Sequence, residues 1–402
     1  MLTRRSALAA ALAAVPLATP HAQKPVTIRW WYHFDDPKAT PAALIADFEA
    51  KHPGIKIQAE SIPWGGGGDY DTRLYTALIA GNGPDVAMVK FQNMPRLIEM
   101  EALRPLDTEI AAWPARSDIS NDLWALHRAP DGKQYYVPLQ YVILYLYVRQ
   151  DWFAQKNLPM PTSFDTFLQG AKALTEGDRW GFGMRGGSGG HDFWASLVLG
   201  NGAVMKTGGL VSPAALAANR WFIDLFRTDK VEPPSAPTDG FLQTVNNMKA
   251  GRTAMTIHHI GSANDLSAAL GDAITAIPVP RGSTGGWATY GDGSSAVFAA
   301  CANPDAAWQW VSYLSTGEAN AAFAKLSAQL PVTNSSLQSW QGQPRRFIEA
   351  SAQSLPLAHV LPSSTQTADF TRTVWPQTTQ KAMLGQITPD AMMQTFEQLY
   401  FG

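Results

Sequence analysis

At 402 residues the chain is too long for one ordinary hydrophobic core, so two domains are expected. Hydrophobic residues at 46% against 16% charged exclude an intrinsically disordered polymer. The formal charge is −2, or −4 without Arg4 and Arg5, and no Lys/Arg cluster of the kind that holds nucleic acid occurs. Fourteen tryptophans are many; they serve either as core filling or as flat faces on which sugars stack.

Residues 1–22 read as an export signal. Arg4 and Arg5 form a positive start, Ser6 to Ala18 is rich in Ala and Leu, and Ala22 offers a small residue for cleavage before Gln23. Thr3-Arg4-Arg5 also admits the twin-arginine route beside the general one. No later stretch reaches the ~18 apolar residues of a membrane span. Cys301 is the sole cysteine, which leaves no disulfide framework and no lipid-anchor site near the leader. Together these point to a soluble protein released into a bacterial periplasm, and not to a lipoprotein.

Pro25 to Trp31 is predicted as a first strand and Thr40 to Lys51 as a helix, with Thr40 as cap and Pro41 at its first position. Ile55 to Ile62 alternates like a second strand. Gly65 to Gly68 then bridges to a helix at Tyr70 to Ala80, and Val86 to Val89 is a third strand. This alternation implies α/β architecture with a mostly parallel sheet.

The run Val137 to Asp151, VPLQYVILYLYVRQD, is the longest apolar stretch after the leader. At ~3.3 Å per residue its first twelve residues would span roughly 40 Å, far beyond a mean strand. It is either one long central strand or a segment that leaves one sheet and enters another. Tyr141, Tyr145 and Tyr147 would share one face; Val142, Leu144, Leu146 and Val148 the other. Helices follow near Asp151 to Lys156 and over Ser163 to Thr175, His191 to Leu199, Pro213 to Thr228 and Phe241 to Ala250. Strands are expected at Trp180 to Met184, Thr253 to Ile257, Ala276 to Val279 and, after a turn at Tyr290 to Gly293, Ser294 to Ala299. Pro304 to Leu314 and Gly317 to Leu326 are helical, and two more helices fit between Arg345 and Tyr400.

Few residues suggest covalent chemistry. Gly186-Gly187-Ser188-Gly189-Gly190 satisfies G-x-S-x-G between a strand and a helix, and Asp239 and His258 follow in the order of a hydrolase triad. Four glycines around a serine meet that pattern by composition alone, and such a loop equally presents backbone N–H groups to a polar ligand. His258 and His259 are neighbours on a strand and point to opposite faces, so they do not chelate one metal; no metal site or cofactor motif is expected. Polar and aromatic residues recur where strands end: Trp31, Tyr32 and His33, then Trp64, then Lys90, Phe91, Gln92 and Asn93. In open α/β sheets ligands bind beyond the carboxyl ends of strands, and rings beside amides and imidazoles supply both halves of sugar recognition.

The order of "TIRWWYHF", "IADFEAKHPGIKI", "LIAGNGPDVAMV", "YVPLQYVILYLYVRQDWF", "MKAGRTAMTIHHIGS", "AWQWVSYLSTGEANAAF" and "KAMLGQITPDAM" resembles the bacterial extracellular solute-binding proteins of ABC transporters, specifically the maltose-binding-like family. The resemblance covers residues 24–402. It implies a two-lobed periplasmic binding protein fold of type II whose cleft closes on a solute through a hinge. The lobes would comprise 23–140 plus 294–335, and 141–293 plus 336–402. Family cleft contacts fall on Trp31 to His33, on Trp64, Gly65 and Gly66, on Lys90 to Asn93, and on the loop Arg185, Gly186 and Gly187. They fall also on His191 and Trp194, on the turn His258, His259 and Gly261, and on the hinge Tyr290, Gly291, Asp292 and Gly293. Many sugar binders carry a tryptophan in the 258–261 turn; here Trp287 or Trp194 would substitute. Arg372 stands where maltose binders present a ring, which would suit an anionic group on the solute. The hinge would pivot at Tyr141-Val142, making Tyr141 a contact.

What the resemblance implies is therefore a monomeric periplasmic binder, not an enzyme. It would deliver a carbohydrate or polar sugar derivative to membrane permease subunits without any cofactor. The alternative is a secreted hydrolase using Ser188.

Overall fold

A computed structural model of the chain describes residues 25–34, 38–63, 68–282, 285–362 and 364–402. The stretch expected to be an export signal therefore lies outside the described residues, as do Trp64, Gly65 and Gly66.

Eleven strands are assigned among the described residues: β1 (Val26–Tyr32), β2 (Ile55–Ser61), β3 (Val86–Val89), β4 (Tyr136–Ile143), β5 (Tyr145–Arg149), β6 (Trp180–Phe182), β7 (Thr253–His258), β8 (Ile274–Ile277), β9 (Ala288–Val297), β10 (Leu330–Pro331) and β11 (Ala358–His359). They form two sheets. The larger runs β10-β4-β9-β3-β1-β2 with β11 beside β9, and the smaller runs β6-β7-β5-β8.

The expectation of mostly parallel sheets is corrected. β1 is parallel to β2 and β3, but β9 runs antiparallel to both β3 and β4. In the smaller sheet β5 is antiparallel to β7 and β8, and only β6–β7 is parallel. Parallel order survives where helical crossovers connect the strands; strands arriving from the other sheet enter in the opposite sense.

The apolar run after Tyr136 divides between the sheets, though later than the expected pivot. Tyr141, Val142 and Ile143 still pair with Asp292, Gly291 and Tyr290 in the larger sheet. From Tyr145 onward the partners are His258 and its neighbours in the smaller one. Leu144 alone lies between, its N–H donating to the Thr289 carbonyl at 3.0 Å. The chain returns between Ile277 and Ala288, and leaves the larger sheet again after His359. Tyr290 to Gly293 is consequently strand, not a turn. Gly291 is needed there because a Cβ would stand 2.9 Å from Val142 Cγ2, too close for the β4–β9 pair.

One core cluster runs from the larger sheet to Tyr145, Tyr147 and Ile274 of the smaller, and further clusters belong to one sheet alone. Ile28, Trp30, Phe48, Val86 and Trp310 are buried under one face of the larger sheet, while Trp31, Tyr70, Leu74 and Ala87 pack under the other. Leu146, Val148, Phe182, Met255, Trp194 and Phe222 belong to the smaller. The helices Pro304–Leu314 and Gly317–Leu326 match their predicted bounds. The helix after β1 begins at Ala42 with Pro41 as its cap residue and no side-chain cap, so Thr40 stays outside it. Toward the end, Thr365–Asp369 runs through a π-helical turn, Phe370–Val374, into Trp375–Met383.

One buried group is chemically costly. Glu232 is 4% exposed and neither carboxyl oxygen has a hydrogen-bond partner. Burial alone drives its carboxyl well above the ordinary range. The folded chain therefore holds this proton where the unfolded chain has released it, so stability is lost as pH rises above the ordinary Glu range. Glu232→Gln, which imitates the protonated acid, should stabilise the fold by about 1–2 kcal/mol at pH 8 and by little at pH 5. Urea denaturation at the two pH values reads the difference.

Candidate functional site

The parallel strands β1, β2 and β3 present their carboxyl ends on one edge of the larger sheet, and His33 and Lys90 follow β1 and β3 there. His33 is buried, edge-on to Tyr70 at 5.1 Å. Its imidazole is held well below the usual histidine range, by burial first and by the Lys90 cation second. Tyr70 anchors the helix Gly68–Ile79 to the sheet by donating to the Met88 carbonyl at 2.6 Å. The next residue, Asp71, is buried. Its carboxyl is pushed up by desolvation, which outweighs the opposing pull of Arg372, Asn93 and Lys90. Asn93 is buried and donates to the Tyr75 hydroxyl at 2.8 Å; Phe91 is half-buried and Gln92 exposed.

In the smaller sheet β7 ends at His258 and turns through His259, Ile260 and Gly261. The His259 backbone N–H donates to His258 Nδ1 at 3.0 Å, and the Gly261 N–H donates to His259 Nδ1 at 3.0 Å. Only glycine permits the second contact, since a Cβ at position 261 would lie 2.6 Å from His259 Cε1. Tyr147, on β5, donates from its hydroxyl to the His259 carbonyl at 3.0 Å and shares a hydrogen bond with Tyr145 at 2.9 Å. The Phe241 ring backs the pair, 4.3 Å from His258 and 5.5 Å from His259. The guanidinium carbon of Arg185 stands 5.6 Å from that same ring. Burial, then His259 and Arg185, keeps His258 well below its ordinary range. Burial, then Arg185 and Lys90, pushes His259 down to about 3.

Lys90 belongs to the larger sheet and Arg185 to the smaller, and both act on His259. The strand ends of the two sheets therefore lie near one another. Arg372 lies beside them. Its guanidinium pairs with the buried Asp71 carboxylate on the opposite lobe.

Other residues expected at the site lie elsewhere. Trp31 is 8% exposed beneath the helix Gly68–Ile79, 5.1 Å from the Arg73 guanidinium, and edges an outer cavity of about 450 Å³. Tyr32 stacks on Trp30 at 4.7 Å within the core. Trp194 is fully buried, donates to Asn219 at 3.1 Å and packs on Phe370 and Phe396. Tyr141 and Tyr290 stack on each other at 6.0 Å, with Tyr141 lining a cavity of about 440 Å³ beside Leu330 and Arg345. Trp287 lies flat on His359 at 4.5 Å. Gly293 pairs with Gln140 and Asp292 with Tyr141 inside β9–β4; the Asp292 side chain is outside the described set. His191 is edge-on to Phe370 and Trp375, its Nε2 3.4 Å from Asp192.

At Gly186 and Gly187 the glycine-rich loop does not offer free amides. Gly186 N–H is bonded to the Ala236 carbonyl and Gly187 N–H to that of Asp239, both at 2.9 Å. Nor is a triad assembled. Asp239 accepts from Ser235 and Asn247, His258 Nδ1 from His259 and Ser262, and Ser188 is exposed. Among the described residues no group of three or more His, Cys, Asp or Glu could hold a metal ion. Asp71 and Phe241, which help build the cleft, carry no local sequence signal that marks them.

Two α/β lobes whose strand ends meet across a cleft, joined by crossing segments, constitute the periplasmic binding protein fold. The chain superposes on an ABC transporter solute-binding protein from Thermotoga lettingae bound with α-D-tagatose, with a TM-score of 0.79, 20% identity, and coverage of 93% of this chain and 99% of that one. It superposes also on the GacH receptor of Streptomyces glaucescens, described unliganded and with acarbose, with a TM-score of 0.80, 22% identity, and coverage of 94% and 97%. The chain belongs to the bacterial extracellular solute-binding protein family, whose model matches residues 33–321. A protein of Brucella abortus (strain 2308), named only as a binding protein, is 24% identical over 367 residues, 86% of this chain and 85% of that one.

Proposed function

We propose that this is the solute-binding component of an ABC import system, exported by its first 22 residues to the periplasm and acting there as a monomer. It takes a carbohydrate or polar sugar derivative between the lobes and presents the closed form to membrane permease subunits. One lobe is built on the larger sheet and the other on the smaller, with pivots at Leu144, between Ile277 and Ala288, and after His359. The observation that carries this reading is that His33 and Lys90, which follow strands of the larger sheet, lie near His258, His259 and Arg185, which follow strands of the smaller, with Arg372 paired to Asp71 beside them. A solute touching both sets favours closure by whatever affinity it has for the closed form over the open one. The tagatose and acarbose bound by the structural neighbours support a sugar-like solute.

A thermal-shift screen of monosaccharides, disaccharides, polyols and acidic sugars tests it. At a hundredfold excess over Kd, one class should raise Tm by about 5 °C, the equivalent of about 2.7 kcal/mol. Catalytic turnover that disappears in Ser188→Ala would instead support the hydrolase.

A further inference from the structure

We propose that the solute carries an oxyanion, received where Arg185, His258 and His259 of the smaller lobe face Lys90 of the larger. This deepens, and rests on, the solute-binding reading above. The argument is one of donors and acceptors. A backbone N–H can only donate, so the His259 and Gly261 amides make Nδ1 of His258 and of His259 lone-pair acceptors. Each neutral ring must then carry its proton on Nε2. His258 Nε2 is buried and has no hydrogen-bond partner, and the same holds for Arg185 Nε. This corner thus presents imidazole N–H groups and a guanidinium, all of them donors.

The carboxylates nearby are engaged or act at a distance, save Asp71 Oδ1, which has no partner. Asp239 accepts from Ser235 and Asn247, Asp71 is paired with Arg372, and Asp192 acts on Arg185 through space while lying beside His191. A neutral sugar hydroxyl placed between Arg185, His258 and His259 would meet mainly donors, with Asp71 Oδ1, on the Lys90 side, left to take a proton, and a buried unpaired O–H is penalised. A carboxylate, sulfonate or phosphate only accepts, so it can satisfy every group at once. Arg372, whose position suggested an anion reader from sequence, is not that reader, because its charge is met by Asp71. Burial first, and then the positive fields of Arg185 and Lys90, hold the His259 ring neutral.

Calorimetric titration of the mature protein with glucuronate, 6-sulfonated glucose, glucose 6-phosphate, and glucose with methyl glucuronate as neutral counterparts decides the matter. One acid should bind at least about 10- to 100-fold more tightly than its neutral counterpart, with affinity falling as salt is added. Arg185→Gln should remove about 10- to 100-fold of that affinity. Lys90→Gln, on the other lobe, should weaken it in the same sense and serves as the second variant if Arg185→Gln fails to fold. If neutral sugars bind and the acids do not, or if an acid binds both variants unchanged, the oxyanion assignment is overturned while the solute-binding reading stands. If no compound in the wider screen binds, both fall together.

Discussion

Acidification from pH 7 to pH 5 is expected to destabilise the folded chain by several kcal/mol, on the order of 5, through four histidines. His33, His191, His258 and His259 are all held below the ordinary histidine range, with burial the first cause in each case. In the unfolded chain each takes a proton near pH 6.5; in the folded chain His259 does so only at about 3. Between these values the unfolded state binds more protons, so stability falls with pH, by about 1.4 kcal/mol per pH unit for each ring fully in that window. The loss begins near pH 6.5 and levels off only when the folded rings protonate.

Carboxyls oppose this. Asp71, Asp239 and Glu232 have pKa values raised by burial, so each contributes relative stability as pH falls toward the ordinary carboxylate range. Three carboxyls against four histidines reduce the slope, and in the upper part of the window the histidines dominate. Urea denaturation at pH 7, 6 and 5 and constant ionic strength checks the sign. A flat or rising profile would mean that these rings are not buried in neutral form.

Arg372→Ala should shift the balance between open and closed lobes by about tenfold toward open. Removing one partner of a fully buried ion pair costs roughly 3–5 kcal/mol. Arg372 is 40% exposed, however, and solvent screening brings the expected loss to about 1–2 kcal/mol. Most of that loss is the stranded charge of Asp71, 1% exposed, with its Oδ1 already unpartnered. Adding Asp71→Asn to Arg372→Ala should therefore recover much of the closed population. Since Asp71 is on the larger lobe and Arg372 on the smaller, the effect should appear in interlobe distance by fluorescence transfer more than in global stability. An unchanged distance in the single variant would show that the pair does not hold the lobes together.

How far the sequence reached depended on whether the signal was local. Val86–Val89 was readable as a short apolar run after Gly83-Pro84, and Pro304–Leu314 and Gly317–Leu326 because each opens on Pro or Gly and its apolar positions keep a helical period. The division of the run after Tyr136 between two sheets was also suggested by its length, but the pivot falls at Leu144. Both faces of that run are apolar, so nothing local marks where the partner changes; the extent of β9 decides it.

The strand-end rule pointed to His33 and Lys90, which do follow β1 and β3. It could not tell which face of the pleat each ring occupies, and Trp31 and Tyr32 turn to opposite core layers instead. Trp194 is drawn into the core by Asn219, Phe370 and Phe396 from distant elements. The turn His258 to Gly261 was visible as a candidate, while its fixed tautomers depend on backbone geometry that no residue pattern encodes. Arg372 was noticed, yet its partner Asp71 stands 301 residues earlier.

Small-angle X-ray scattering with and without the tightest compound from the screen tests the central claim most directly. Saturating solute should reduce the radius of gyration toward that of the arrangement described here, with Arg372 on Asp71, and the reduction should follow the 1:1 binding isotherm. Saturable binding with an unchanged scattering profile would contradict closure of the two lobes on a shared solute.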